Sequence, residues 1–313
     1  MLRFLTRRVL SGLALLVVIA TLAFLLLYLG AGDVGRRILG PTASAETVAL
    51  KNQQLGLDEP LLTRFGDWAI HALQGDLGTS WFSGASVTTL LVTRIGVTLS
   101  LVIGAILLSA LVSVLLGVWA AVGAGVIDRV VQVIAVLGFA IPGFLVALGL
   151  VNLFALQLKW FRPTGYVPLT TSFGGWLGSI TLPVIALAIG VIATVALQVR
   201  SSVVDALGQE WVRTLRSRGL SERRIVYRYV LRTAAGPALA VLAVQFIALI
   251  GGAVIVEQVF AIPGLGQVSV TATSQGDVPL VMGLVLAVSI IVLIVNLVID
   301  IVQGWLNPKV RVA

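Results

Sequence analysis

The sequence predicts an all-α membrane protein: six transmembrane helices, an external helical loop and a cytoplasmic helical hairpin. Three observations predict it. Of 313 residues, 58% are hydrophobic and only 11% are charged. Soluble domains hold about 45–50% apolar residues, so lipid has to solvate most of this surface. The charges cluster, leaving six long uncharged intervals. The arginines are distributed unequally between alternate connecting segments.

The intervals set the spans, since about 20 apolar residues cross the hydrocarbon layer. They run from Arg8 to Asp33 (24 uncharged residues), Arg94 to Asp128 (33), Arg129 to Lys159 (29), Arg162 to Arg200 (37), Arg232 to Glu257 (24) and Asp277 to Asp300 (22). The expected helices are 9–30, 96–122, 130–156, 180–199, 236–256 and 280–302. The fourth interval exceeds one helix. Its first part, Pro163–Ser179, carries two prolines and four glycines and reads as a loop, with Pro183 where a helix can begin. The run Val9–Leu29 exceeds the roughly 7–15 residues of a signal-peptide core and reads as an uncleaved first span.

Orientation follows from lysine and arginine. With the N-terminus inside, fourteen of the 21 basic residues are cytoplasmic and seven external, five of these in the one long loop 31–94. Both termini are then cytoplasmic, in a multi-pass protein of the cytoplasmic (inner) membrane. The same distribution accounts for the net charge of +8 without nucleic acid as a partner.

Two connecting segments carry further pattern. In 31–94, Glu46–Leu55 reads as a short helix and Asp58-Glu59-Pro60 as the start of another. Leu61, Phe65, Trp68 and Ala72 form an apolar stripe on it, suited to the membrane or a partner subunit. Gly75-Asp76-Leu77-Gly78 ends it, and His71 reads as solvated or interfacial. In 200–236, Val204, Leu207, Trp211 and Leu215 recur on one helical face. Gly219 suits a left-handed cap, Ser221 can cap a second helix, and Glu222 suits that helix's positive end. Arg224, Arg228 and Arg232 form one stripe of the second helix and Val226, Tyr229 and Val230 another. Pro237 closes the segment. A solvated basic loop explains these arginines. It does not explain Trp211 and Leu215, which favour docking into a partner's groove.

Several chemistries are excluded or weakened. Without cysteine and with one histidine, the chain offers no thiolate chemistry and no multi-histidine metal site. A P-loop needs Gly-Lys, but the three lysines follow Leu50, Leu158 and Pro308. Glu257 and Asp300 lie near span ends and Asp128 in a short loop, as interfacial charges do. No acidic or His–acid pair suggests intramembrane hydrolysis. A secondary transporter or channel usually keeps ionisable groups near the midplane, where these spans carry none. Asn152, Gln157, Thr194, Gln198 and Gln245 are polar groups in or near spans, open to lining a path or to bonding between helices, the second being favoured.

Five separated stretches resemble the permease subunits of dipeptide and oligopeptide ABC importers. Glu210-Trp211-Val212-Arg213-Thr214-Leu215-Arg216-Ser217-Arg218-Gly219-Leu220-Ser221, with Leu207 before it and Pro237 after it, resembles the EAA coupling loop. Gly252–Phe260 with Glu257 and Phe260, then Pro263-Gly264-Leu265-Gly266, resembles the signature after the fifth span. Asn296–Asp300 with Asn307-Pro308-Lys309-Val310-Arg311, and upstream Leu55–Pro60 and Gly75–Gly78, complete the likeness. Leu215, Tyr229 and Thr233 depart from the family's usual alanine, histidine and asparagine. The resemblance implies the type I ABC importer permease fold, divided as 1–93 (first helix and external loop), 94–305 (five-helix permease core) and 306–313 (tail). It also implies a second homologous permease, two cytoplasmic ATPases that bind ATP and magnesium, and an extracytoplasmic substrate-binding protein. This chain would have no cofactor, metal site or catalytic residue of its own. Similar permeases serve peptides, glutathione or nickel complexes.

Overall fold

The computed structural model describes residues 2–30, 34–123 and 125–306, and every regular element among them is helical. Along the chain these are α1 (Leu2–Gly30), α2 (Val34–Leu39), α3 (Ala45–Gln54), α4 (Leu61–Leu73), α5 (Val87–Gly123), α6 (Gly125–Ala140) and α7 (Gly143–Leu150). There follow α8 (Phe173–Leu207), α9 (Glu210–Ser217), α10 (Glu222–Arg224), α11 (Leu231–Val259), α12 (Leu265–Gln275) and α13 (Val278–Leu306). Two π-helical turns continue neighbouring helices: Val151–Gln157 extends α7, and Ile225–Val230 joins α10 to α11. The tail motif Asn307–Arg311 lies outside the described residues.

Five helices among the described residues are long and apolar enough to cross a membrane. A sixth span results if α6 and α7 with its π turn count as one, and here the expected straight helix 130–156 is corrected. The pair bends by 93° at Ile141–Pro142, because a proline has no N–H to give the preceding turn and its ring clashes with it. Pro142 then serves as the N-cap residue of α7. The stretch expected as a loop to Ser179 is also corrected. Ser172 accepts the Gly175 N–H on its hydroxyl at 3.1 Å and starts α8 at Phe173, so Pro183 lies inside a helix. Pro237 likewise lies within α11 and closes nothing.

The chain forms two compact units. In the first, Val97–Gly266 with the last helix from Val295, α8 is packed by α5, α6, α7 and α11. Small residues let α5 approach it closely. A Cβ on Gly104 would stand 2.9 Å from Val184 Cγ2, and one on Gly117 2.8 Å from the Ala196 carbonyl oxygen. Between them, Ser109 and Ser113 donate their hydroxyl protons to the carbonyls of Ala188 (3.3 Å) and Ile192 (3.2 Å). Steps of five, four and four residues on α5 meet steps of four on α8 in one continuous seam.

The second unit, Leu2–Gly96 with Gln267–Ile294, gathers around Phe24, Val34, Val278 and Met282. Ser44 caps α3 by accepting the Thr47 N–H at 3.2 Å. Leu61, Phe65 and Trp68 of α4 pack against this cluster, with Phe65 edge-on to Phe24 at 5.1 Å. The stripe expected to meet membrane or partner is therefore partly covered by its own chain, its four residues being half-buried. His71 is exposed, its Nδ1 2.7 Å from the Asp67 carbonyl oxygen. Asp277 is fully buried just before α13. It accepts from the Ser80 hydroxyl (2.5 Å), the Trp81 N–H (3.2 Å) and the Leu280 N–H (3.4 Å).

Gly117→Leu tests the seam. Its side chain would enter space held by Val199 and the Ala196 carbonyl, destabilising the fold by roughly 1–3 kcal/mol. Thermal unfolding in detergent should show a lower midpoint than wild type, whereas Gly190→Ala, with no atom within 4 Å of the new Cβ, should not.

Candidate coupling hairpin and translocation cleft

The hairpin begins with a correction. α8 ends at Leu207, Gly208 caps it, and Gln209 starts α9. Val204, Leu207, Trp211 and Leu215 are therefore split between two helices. The periodicity missed this break, at which Gly208 keeps a right-handed conformation with φ −76°. On α9, Val212 is fully buried while Trp211 and Leu215 are half-buried, so the apolar strip is partly covered already. Glu210, Arg213, Thr214, Arg216, Ser217 and Arg218 are exposed.

Gly219 has φ +76°, the left-handed conformation its position suggested. Its N–H donates to the Arg216 carbonyl at 2.9 Å, and that of the half-buried Leu220 donates to the Leu215 carbonyl at 3.3 Å. These two bonds are a Schellman motif, which satisfies the last carbonyls of α9 and reverses the chain. Ser221 occupies the N-cap position of α10, but its side chain makes no capping bond. Its carbonyl accepts the Ile225 N–H at 3.0 Å. Glu222 closes the turn instead, receiving Arg216 Nε at 2.7 Å and Nη2 at 3.2 Å. Beyond it Val226 and Val230 are buried, Tyr229 is half-buried, and Arg224, Arg228 and Arg232 are exposed, so the two expected stripes survive the π turn.

Asp128 lies in the first turn of α6 and not in a loop. Arg200 near the end of α8 grips it through Nε and Nη2, both at 2.5 Å, and Gln132 donates to it at 2.9 Å. This bidentate pair ties α6 to the last turns of α8, directly ahead of the hairpin.

Glu257 is the largest departure from expectation. It lies in the last turn of α11 but is fully buried, because the chain after α11 folds back over it. The Thr98 hydroxyl donates to Glu257 Oε1 at 2.5 Å and accepts the Leu265 N–H at 2.8 Å. The carboxylate fills space that other residues would need for a side chain. A Cβ on Gly264 would meet Glu257 Oε1 at 2.1 Å, and one on Gly266 would meet Oε2 at 2.8 Å. Pro263, Gly264, Leu265 and Gly266 thus form a turn shaped to a buried carboxylate. Phe260 is buried and its carbonyl accepts the Gly165 N–H at 2.9 Å. Neither Thr98 nor Asp277 carried a periodic signal, since each acts through a partner distant in sequence.

Of the polar span residues, three converge and two do not. Thr194 and Gln245 line a cleft of about 440 Å³ between the α6–α7 bend, α8 and α11, walled by Phe139, Pro142 and Phe144. Gln198 and Thr194 line an adjoining one of about 400 Å³. Asn152 and Gln157 are exposed and hydrogen-bonded to each other at 3.1 Å on the π turn. Within this chain, two of these side chains bond along their own helix and not to a neighbouring one. Thr194 donates to the Gly190 carbonyl and Gln198 to the Ser202 hydroxyl, both within α8.

A bent span walling a cleft, helices joined by small residues and a basic helical hairpin are the features of a membrane transport subunit. Residues 113–312 match the family described as "Binding-protein-dependent transport system inner membrane component". Residues 1–102 match its N-terminal counterpart. The chain belongs to this family of multi-pass inner-membrane components of ABC importers. It is 33% identical over 309 residues to the "Probable peptide ABC transporter permease protein y4tP" of Sinorhizobium fredii, covering 98% of this chain and 99% of that one. It is 36% identical over 312 residues to the "Glutathione transport system permease protein GsiC" of Salmonella choleraesuis, covering 99% of each. Its fold is similar to a solved structure of the MetNI methionine ABC transporter in inward-facing conformations, with TM-score 0.57 and 17% identity over 70% of this chain and 96% of that one.

Thr98→Val and Gly264→Ala test the buried carboxylate. The first removes a hydroxyl serving two partners, and an unsatisfied buried group costs about 1–3 kcal/mol. The second drives a methyl group into the carboxylate. Both should lower the unfolding midpoint in detergent, and Thr98→Ser should restore most of the loss.

Proposed function

We propose that this chain is the permease subunit through which peptides cross the inner membrane in an ATP-driven importer. It would act beside a second, homologous permease, with two ATPases inside and a binding protein outside. ATP and magnesium belong to the ATPases; substrate passes between the two permeases by alternating access. Both termini are cytoplasmic and the loop 31–94 is external. The observation that carries the reading is the hairpin's construction. A Schellman turn fixes α9 to α10, and α10 runs through the π turn into α11 without a linker. A push on α9 thereby moves a span. The residues that receive it are those of the segment 207–221, with Trp211 and Leu215 as apolar anchors and the arginines as a basic flank.

Peptides suit the cleft better than ions do. The side chains of Thr194, Gln198 and Gln245 can bond peptide N–H and C=O groups without selecting for charge, and the remaining wall is apolar. Glutathione, itself a short peptide, fits the same chemistry. Nickel complexes are a weaker fit to neutral amides and a hydroxyl.

Gly219→Val tests the coupling. No atom lies within 4 Å of the new Cβ, so its effect is conformational, about 1 kcal/mol or more for holding a Cβ in the left-handed region. Trp211→Ala removes an aromatic anchor of a kind often worth about 2 kcal/mol or more at interfaces. Both complexes should assemble and insert yet lose substrate-stimulated ATP hydrolysis and uptake. Arg216→Glu should do less, since an exposed pair contributes about 0–1 kcal/mol. Wild-type transport by both Gly219→Val and Trp211→Ala would show the hairpin to be a basic loop only. Uptake of defined di- and oligopeptides against glutathione fixes the substrate.

Topology has a separate check. Ser83→Cys should react with a membrane-impermeant maleimide in intact cells and Ser217→Cys should not; the reverse pattern would invert the orientation.

A further inference from the structure

Helix α4 presents three faces, where a helix lying between protein and water needs two. Leu61, Phe65 and Trp68 pack inward against the cluster around Phe24. Thr63, Asp67, His71 and Gln74 make an exposed polar stripe. Between these two sectors lies a third, apolar one: Leu62 is 84% exposed and Leu73 89%, with Gly66 and Ala69 on the same strip and Ile70, 56% exposed, at its edge.

The place where α4 meets α1 identifies the solvent for that third face. Phe65 contacts Phe24, and the Arg64 guanidinium lies 3.8 Å from the Tyr28 ring centroid. Phe24 and Tyr28 occupy the last turns of the apolar run Thr6–Tyr28, which is the depth of a membrane–water boundary. On these turns Leu22 and Leu26 of α1 are 54% and 72% exposed, as lipid-facing residues are. Tyr28 is of an aromatic type enriched at that boundary. An apolar face beside a polar one, at this depth and next to a lipid-facing span, has the arrangement of an interfacial helix.

We propose that α4 lies in the membrane–water interface at the C-terminal end of α1, with Leu62, Ala69 and Leu73 seated among the acyl chains of that leaflet. The occupant of the face is lipid, not the second permease or the binding protein. In the topology proposed above the leaflet is the outer one.

The chain has no cysteine, so single spin labels report cleanly, with wild type as background. The assembled transporter is reconstituted in phospholipid vesicles, and collisions with oxygen and with a water-soluble nickel chelate are measured. Labels at Leu62→Cys and Leu73→Cys should collide preferentially with oxygen. Labels at Thr63→Cys and Asp67→Cys should prefer the chelate. Preference for the chelate at Leu62→Cys and Leu73→Cys would put the strip in water and overturn the proposal. Shielding of those labels from both reagents would put it under another subunit, and would overturn it too. Neither readout depends on transport, substrate or sidedness, so failure here leaves the translocation reading intact.

Discussion

Hydrocarbon offers no hydrogen bonds, and that constraint governs nearly every feature of this chain. Each backbone N–H and C=O within the membrane has to find its partner inside the protein, so the spans are helices and their interruptions are confined. At Ile141–Pro142 the lost helical bond coincides with a wall of the cleft. At Val151–Gln157 a wider π turn keeps the backbone bonded while shifting the helix's register. Side chains follow the same rule. Ser109 and Ser113 bond to carbonyls of the neighbouring helix.

The buried acids follow from it as well. A carboxyl group sealed from water needs hydrogen-bond partners within the protein. Glu257 has the Thr98 hydroxyl, and two glycines leave the space its oxygens occupy. Asp277 has a hydroxyl and two backbone N–H groups. Each acid joins segments far apart in sequence within its own unit, so a polar contact here acts as a long-range tie in an otherwise apolar fold.

The number and approximate positions of the spans were legible because hydropathy and charge spacing act over twenty residues or more. The Schellman glycine was legible because a left-handed cap has a local signature. Breaks and ends were less so. Pro142 was overlooked inside a long apolar run, while Pro183 and Pro237 suggested boundaries but lie within helices held by their neighbours. The division of α8 from α9 hid behind a periodicity that continued across Gly208. The burial of Glu257 depends on Thr98, 159 positions away, and no pattern in one sequence announces such a pairing. The polar side chains of the cleft were visible as candidates; which of them share a cavity depended on the bend at Pro142.

The two ends of the hairpin differ in stiffness. Toward α8 the chain passes through Gly208 and Gln209 alone, a short joint. Toward α11 it passes through a turn closed by two backbone bonds and a bidentate ion pair, then through unbroken helix. Under the coupling proposed above, a load on α9 would reach α11 through continuous backbone, and α8, held to α6 through Arg200 and Asp128, through the short joint at Gly208. Both helices wall the cleft, so the hairpin would be attached to it on two sides.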